Sequence, residues 1–258
     1  MTASRLHDLA SWAATVLSRH SSSSEVFQTS TMGALLDGVY DGDLTVAELL
    51  RHGDFGLGTF NRLDGEMVIV DGTCYRLRSD GSASVAELSE RTPFAAVTRF
   101  HTAHTIDVET NTSRDGLLER IDATLESTNL IYAVRVDGNF ATVRTRTVRA
   151  QTPPYPPLTQ ASDEQAEQVY EDICGVLIGF RTPEFEQGIA VAGYHLHFLD
   201  DTRTKGGHVL DVTLRSGHIA ISTASELHLR LPTTPAFLHA DLTGDDIAGR
   251  IRHAEGGG

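Results

Sequence analysis

The sequence predicts a mixed α/β (α+β) protein with two subdomains, built on mixed but largely antiparallel β-sheets with a few helices. From Phe55 to Val108, short apolar runs alternate with Asp-Gly dipeptides, which favour hairpin turns. From Val176 to Leu231 the chain is again strand-like, with turn residues between the runs. Apolar residues at helical spacing are confined to a few short segments. Strands are therefore expected to outnumber helices.

Four segments have the apolar spacing or the capping residues of helices. Ser162 is the expected N-cap of the last one, because its hydroxyl can accept a bond from a free backbone N–H of the first turn. The predicted helices are residues 5–19, a helix that begins at Leu44–Thr45 and ends before Gly53, Arg114–Leu125, and Ser162–Cys174.

Glycines mark most of the predicted turns between strands. Asp64-Gly65, Asp71-Gly72 and Asp80-Gly81 are typical hairpin dipeptides. The run NLIYAVRVDGNFATVRTRTV, residues 129–148, predicts another hairpin that turns at Asp137-Gly138. In the second half of the chain, turns are predicted at Pro183, Gly188, Gly206-Gly207 and Gly217.

A proline-rich segment indicates where the chain divides. Residues 151–160, QTPPYPPLTQ, contain four prolines in ten positions and cannot form a regular element. We expect an N-terminal helix and linker over residues 1–24, which include the run SSSS. A β-sheet subdomain is then expected over 25–150, and a second β subdomain with a C-terminal tail over 151–258.

The composition restricts the classes of partner. The 258 residues include 21 basic and 35 acidic side chains, so the net charge is −14. Such a chain repels a phosphate backbone, which argues against nucleic-acid binding. No stretch approaches the roughly 20 apolar residues of a membrane span. The short apolar run near the N-terminus is flanked by Asp8 and predicts an amphipathic helix rather than a secretion signal, so a cytoplasmic protein is expected. Cys74 and Cys174 are both expected to be reduced core residues.

The stretch GYHLHFLDDTRTKGGH, residues 193–208, concentrates three histidines. On a strand, His195 and His197 point to the same side about 6.6 Å apart. The segment DDTRTKGG has the composition of a turn, so the returning strand brings His208 near the first pair. Three imidazoles from two strands are typical of a catalytic metal site with a position left open. The alternative is a half-exposed polar sheet face without a function.

Two further segments carry charged residues among apolar ones. Glu66 opens the run EMVIV, where a buried carboxylate would need a partner or a cation. It could equally lie at the strand's edge in contact with water. Arg144 and Arg146 in VRTRTVR are either exposed side chains or a clamp for an anion.

Four segments in the same order resemble the acetolactate decarboxylase family, over a similarity that runs from about Phe27 to the C-terminus. They are STMGALLDGVYDGDLTVAELLRHGDFGLGTFNRLDGEMVIVDG, VRTRTVRAQTPPYPPL, GFRTPEF and GYHLHFLDDTRTKGGHVLDV. The resemblance implies a zinc-dependent, homodimeric carboxy-lyase that converts 2-acetolactate, a small anion, to acetoin and carbon dioxide. Because this substrate is a β-keto acid, loss of carbon dioxide leaves an enediolate, which zinc would stabilise.

The resemblance also implies roles for particular residues. His195, His197 and His208 correspond to the zinc-binding histidines, with Glu66 and Glu255 as further carboxylates of the metal site and as catalytic residues. Arg146, fixed by its spacing from the PPYPPL run, corresponds to the arginine that grips the substrate carboxylate. Thr59 in GLGTF corresponds to a residue that lines the substrate pocket.

Two other functions compete with this interpretation. One is a cupin-like metal enzyme, although residues 198–203 offer Asp200 and Asp201 but no glutamate. The other is a non-catalytic module that binds a small molecule, which would leave Glu66 and Arg146 without a role. The identity of the metal is also open, because histidines with carboxylates suit zinc but also accept Ni²⁺, Co²⁺ or Fe²⁺.

Overall fold

The computed structural model describes residues 24–243 and 246–255, and its main feature is one large twisted sheet of twelve strands. The predicted helix over residues 5–19 lies outside the described residues. The strands are β1 (Ser24–Thr29), β2 (Leu44–Thr45), β3 (Phe55–Thr59), β4 (Glu66–Val70), β5 (Thr73–Leu77), β6 (Ala83–Val85), β7 (Arg91–Thr92), β8 (Phe94–Thr98), β9 (His104–Val108), β10 (Thr112–Ser113), β11 (Ile131–Thr147), β12 (Ala166–Thr182), β13 (Gly193–Asp200) and β14 (Gly206–Arg230).

The helices are short and lie around the sheet. They are α1 (Met32–Leu36), α2 (Val46–Leu49), α3 (Arg114–Asp122), α4 (Leu158–Asp163), α5 (Pro235–His239) and α6 (Ile247–Ala254). No helix in the described ranges is long and apolar enough to cross a membrane. The predicted α+β class with largely antiparallel strands is confirmed.

The path of the sheet explains how the two halves of the chain meet. Its order is β11-β12-β13-β14-β1-β8-β3-β4-β5-β6, with β9 and β10 paired to β14. Strand β11 also pairs with β14, so β11 to β14 form a closed ring of four strands. Strand β1 joins this ring to the N-terminal strands, through a parallel pairing with β14 and an antiparallel pairing with β8. The small second sheet contains β2 and β7.

The predicted turns at Asp137-Gly138 and Gly217 are wrong, because β11 and β14 run straight through them. Gly138 and Gly217 are cross-strand partners. A Cβ on Gly138 would lie 2.7 Å from the Ser216 carbonyl oxygen, and one on Gly217 would lie 2.5 Å from that of Asp137. Glycine is therefore required here by the close approach of two backbones rather than by a turn.

The predicted helix Ser162–Cys174 is also wrong. The short helix α4 ends at Asp163, and the residues from Ala166 onward belong to β12, which pairs with β11. Asp172 has a φ of 50°, and its position is left out of the ladder between Glu171 and Ile173. Tyr170 and Ile173, which lie on either side of this irregularity, are three positions apart, as on one face of a helix, and both are partly buried against the same core cluster. The apolar spacing was therefore misleading.

Other local predictions are confirmed. Helix α2 follows Thr45, whose hydroxyl accepts from the Glu48 N–H while the Glu48 carboxylate accepts from the Thr45 N–H. Helix α3 begins at Arg114, as predicted, and ends at Asp122. Asp71-Gly72, both with positive φ, connect β4 to β5. Of the cysteines, Cys74 is buried as predicted, whereas Cys174 is exposed.

One of the hydrophobic clusters forms the walls of the site. In this cluster the helices α1, α4 and α6 pack against one another and against residues beside the strand ends. Its buried members are Met32, Leu35, Leu36, Tyr40, Leu63, Phe94, Val148, Leu158, Ala161, Val191, Ile251 and Ala254. The polar groups described next lie beside this cluster.

Candidate metal centre and substrate pocket

Three histidines meet on one face of the β13–β14 hairpin. His197 and His208 are direct cross-strand partners, and His195 lies two residues before His197 on the same side. The ring centroids are 5.0 to 5.4 Å apart in all three pairs. One nitrogen from each ring lies within 4.8 Å of the others, which is a spacing that could hold a metal ion. The opposite face of the strand carries Leu196 and Phe198, which lie in the core.

The hydrogen bonding of His197 fixes which of its nitrogens faces the cluster. Its Nδ1 lies 2.9 Å from the backbone carbonyl oxygen of Met67, which can only accept, so Nδ1 carries the proton. The lone pair is then on Nε2, which is buried and has no hydrogen-bond partner among the described residues. A buried acceptor without a donor is costly, and a bound cation would satisfy it.

Burial keeps the imidazoles neutral. It lowers the pKa of His195 to about 3, with a further contribution from the positive charge of Arg146. Burial and then the neighbouring His195 lower the pKa of His197 to about 3. The pKa of His208 is lowered well below its ordinary value, again by burial first and by Arg146 second. Neutral imidazoles with free lone pairs are the form in which histidine binds a metal.

Two carboxylates complete the donor set. Oε2 of Glu66, at the start of β4, lies 3.8 Å from Nε2 of His197. Oε2 of Glu255, just after α6, lies 3.5 Å from Nε2 of His208 and 3.6 Å from Nε2 of His195. The Glu255 oxygen is buried and accepts no hydrogen bond from any described residue. The three imidazoles alone form the converging cluster, and the two carboxylates beside it are oxygen donors of a kind that zinc also accepts.

Glu66 is enclosed rather than solvated at a strand edge. Its side chain is 14% exposed, and burial raises its pKa to about 7. The positive charge of Arg146 opposes this shift, and the negative charge of Glu255 adds to it. Burial likewise raises the pKa of Glu255. The site therefore holds two carboxyl groups that accept a proton more readily than usual.

Arg146 brings a positive charge into the same pocket. On β11 it is the cross-strand partner of His208, and it is 3% exposed. Its guanidinium lies 3.5 Å from Oε2 of Glu255 and donates to Oε1 of Gln165 at 3.1 Å. Its buried Nε has no partner among the described residues. Arg144, two positions earlier, has a half-exposed side chain that faces Glu167 instead.

One cavity of about 440 Å³, including the part open to solvent, is lined by Glu66, Arg146, His195, His208 and Glu255. His197 adjoins it through its ring contacts with His195 and His208. Thr59 is also in the cavity wall, but the Thr59 hydroxyl donates to the Gly65 carbonyl at 2.9 Å and so is already engaged. The structure thus brings all the predicted site residues to one place. Sequence analysis missed Gln165 and the apolar walls, which no local motif marks. The apolar lining residues include Met32, Leu35, Leu63, Phe94, Val148 and Leu158.

The fold and the site together define a strand-rich protein with a buried, charged pocket and three histidines that could hold a metal ion, an arrangement typical of an enzyme. Comparison with known proteins makes the assignment specific. The family model for alpha-acetolactate decarboxylase matches residues 26–244. The chain therefore belongs to the alpha-acetolactate decarboxylase family, whose members are carboxy-lyases.

Individual relatives agree with this membership. The alpha-acetolactate decarboxylase of Klebsiella aerogenes is 47% identical over 232 residues, which cover 90% of this chain and 89% of that protein. The one from Bacillus subtilis strain 168 is 45% identical over 233 residues, covering 90% and 91%. The crystal structure of the Bacillus subtilis strain 168 protein superimposes with a TM-score of 0.88, at 44% identity, covering 90% of this chain and 99% of that one. This membership decides against the cupin-like enzyme and the non-catalytic module.

Proposed function

We propose that the protein decarboxylates 2-acetolactate to acetoin and carbon dioxide, with a zinc ion held by His195, His197 and His208. The observation that carries the proposal is the convergence of a buried arginine, three neutral imidazoles and two carboxyl groups in one pocket. The substrate is inferred from the relatives named alpha-acetolactate decarboxylase, which are 45% and 47% identical to this chain.

The histidines fit a zinc ion because the buried Nε2 of His197 has a free lone pair and the Nδ1–H bond to Met67 holds that ring in place. Glu66 and Glu255 would be the further ligands. When bound, zinc would supply a Lewis acid that stabilises negative charge as it develops on oxygen. A homodimeric assembly and a cytoplasmic location stay predictions.

Arg146 binds and orients the substrate in this proposal. Its unpaired Nε and its guanidinium nitrogens face the pocket, where they can donate to the substrate carboxylate. Orientation of that carboxylate aligns the breaking carbon–carbon bond with the neighbouring ketone. The bond's electron pair then moves into the ketone as carbon dioxide leaves, and an enediolate remains. The apolar walls around Phe94 and Leu158 keep bulk water away from it.

A carboxyl group of the pocket then returns a proton to carbon. Glu66 and Glu255 are the two candidates, because both carboxyl groups line the pocket, and the one that does not bind the metal is available to carry the proton. Protonation from one fixed side sets the handedness of acetoin. Thr59 forms part of the pocket wall beside β4. Its hydroxyl already donates to the Gly65 carbonyl and is not free to donate to the substrate.

The test is acetoin formation from racemic 2-acetolactate by wild-type protein and by Glu66→Gln. We expect acetoin far above the spontaneous background from the wild type, with one enantiomer in excess. Glu66→Gln should lose most of the rate. No acetoin above background from zinc-loaded wild-type protein would overturn the proposed function. Full rate and unchanged product handedness in Glu66→Gln would remove Glu66 as the proton donor and leave Glu255.

A further inference from the structure

Glu255 reaches the pocket on the C-terminal helix, whereas the other charged and histidine groups of the site come from strands. Glu255 directly follows α6, and its N–H donates to the Ile251 carbonyl at 2.8 Å. The position of its carboxylate therefore depends on the position of α6. Any shift of the helix changes the distances of 3.5 and 3.6 Å that join Glu255 to His208 and His195.

Apolar packing alone fixes α6 weakly. Ile251 and Ala254 are its buried residues, and they face a cluster that also receives α1 and α4. Contacts of this kind are not directional, so they favour burial of this face of the helix without selecting one exact position for it. A directional contact is needed to give the helix one position.

Arg250 supplies that contact at the end of α1. Its Nη2 donates to Oδ1 of Asp37 at 2.6 Å and to the Leu36 carbonyl oxygen at 3.1 Å. The carbonyl groups at a helix C-terminus carry partial negative charge, which favours a cation there. Both joined helices line the pocket, α1 through Met32 and Leu35 and the C-terminal helix through Ala254 and the adjoining Glu255. The contact between Arg250 and Asp37 therefore fixes two walls of the site relative to each other.

A second ion pair on α6 is less suited to this task. His253 lies 2.9 Å from Asp163, but both side chains are more than half exposed. Arg250 and Asp37 are only about one quarter exposed, at 25% and 27%. Exposed pairs are screened and contribute little, and histidine is charged only when protonated. The permanently charged guanidinium is the stronger constraint.

We propose that Arg250 is a positioning residue, which through Asp37 holds α6 in place and thereby fixes the Glu255 carboxylate at the histidine cluster. The proposal rests on the proposed function in giving Glu255 a part in the chemistry. Without Arg250 the helix stays near the cluster through Ile251 and Ala254, and Glu255 keeps its contact with Arg146, but the helix that carries the carboxylate is no longer fixed to α1. A displacement of about 1 Å in an active site can cost roughly 100-fold in rate.

The first test compares Arg250→Met and Arg250→Lys with a matched control, Arg135→Met. The Arg135 side chain is 24% exposed and pairs with Asp71 and Asp137 away from the pocket. We expect Arg250→Met to lower kcat by roughly 10- to 100-fold with little change in KM, and Arg250→Lys to recover part of the loss. Arg135→Met should keep the wild-type kcat. Amide hydrogen exchange should become faster over residues 247–255 in Arg250→Met and stay unchanged there in the control.

The second test asks whether Arg250 acts through Glu255. Arg250→Met introduced into Glu255→Gln should cause no further loss of kcat, because the group that it positions is already gone. A further loss as large as in the wild-type background, or unchanged exchange over residues 247–255, would overturn the inference. A wild type that forms no acetoin would overturn the proposed function instead, and the exchange measurement would still decide whether Arg250 fixes α6.

Discussion

His197 and His208 face each other across the β13–β14 hairpin, and a single turn of five residues, 201–205, joins their strands. The pairing places two imidazoles on one side of the ladder without any long-range adjustment, and His195 joins them by strand alternation. The hairpin is thus a preformed half of the candidate metal centre. The N-terminal strands, β11 and α6 supply the rest.

Loss of one hairpin histidine should remove the metal without unfolding the sheet. We expect His208→Ala to weaken zinc binding by at least about 10- to 100-fold, the range seen even for groups that only support a ligand. The matched control is His218→Ala on the same strand, since the His218 side chain is half exposed and pairs with Asp107. Zinc content after dialysis against a competing chelator measures the effect. Equal zinc retention by both variants would contradict the assignment.

Arg146 and Arg144 should differ sharply in their effect on the substrate. Arg146→Gln leaves a polar side chain but removes the charge, and we expect kcat/KM for 2-acetolactate to fall by roughly 10- to 100-fold, the worth of a hydrogen bond to a charged group. Arg144→Gln should keep kcat/KM close to that of the wild type, because that side chain faces Glu167 at the surface. Steady-state kinetics on the two variants measures the difference. Equal losses of kcat/KM would contradict a specific role of Arg146 in binding the substrate carboxylate.

Asp200 should stabilise the hairpin turn in a pH-dependent manner. Burial alone would raise its pKa, but bonds donated by the Thr202 hydroxyl and by the N–H groups of Lys205 and Thr204 outweigh burial and lower it. A lowered folded-state pKa means that the stabilisation is complete above the unfolded value of about 3.9 and is lost as the pH falls through the folded value.

The corresponding variant is Asp200→Asn, with the exposed neighbour Asp201→Asn as control. At pH 7 we expect Asp200→Asn to lose about 1–3 kcal/mol of the free energy of unfolding, because an amide cannot accept all of these bonds. The difference from the wild type should shrink as the pH drops below about 3.9. Urea unfolding at several pH values measures it. A difference that is constant over this range would show that the carboxylate charge is not the stabilising feature.

The paired glycines of β11 and β14 should tolerate no side chain. Gly138→Ala places a Cβ against the Ser216 carbonyl and the Leu214 side chain, and we expect a loss of about 1–3 kcal/mol in the free energy of unfolding. Gly116→Ala in α3 is the matched change, where the nearest atoms are side-chain atoms of Thr112 and Ser113 and alanine favours the helix. Thermal unfolding of both variants compares them. A Gly138→Ala protein as stable as the wild type would contradict the required close approach.

The sequence predicted the histidine cluster better than the course of the long strands. The histidines follow from alternation across one hairpin, which is local information. The positions of Glu66, Arg146 and Glu255 came from the family resemblance, because three distant segments meet only in the folded chain. Gln165, which holds Arg146, carries no local signal at all.

The errors in the fold have a common physical cause. Considered on its own strand, each of Gly138 and Gly217 has the pattern of a turn. In the folded chain, glycine is required at both positions because the backbone of the opposite strand approaches closely. Likewise, the segment after Asp163 has apolar residues at helical spacing, but pairing with β11 decides its structure, and the strand accommodates a positive φ at Asp172. In both cases a long-range partner outweighs the local pattern.

The most direct test of the account is a zinc titration of chelator-treated protein with acetoin formation measured at each step. If the three histidines hold a catalytic zinc ion, the rate rises in proportion to bound zinc and stops rising at one zinc ion per chain, with no such rise in His197→Ala. A rate that is independent of bound zinc, or an equal rise in His197→Ala, would contradict a metal-dependent decarboxylase built on the three histidines.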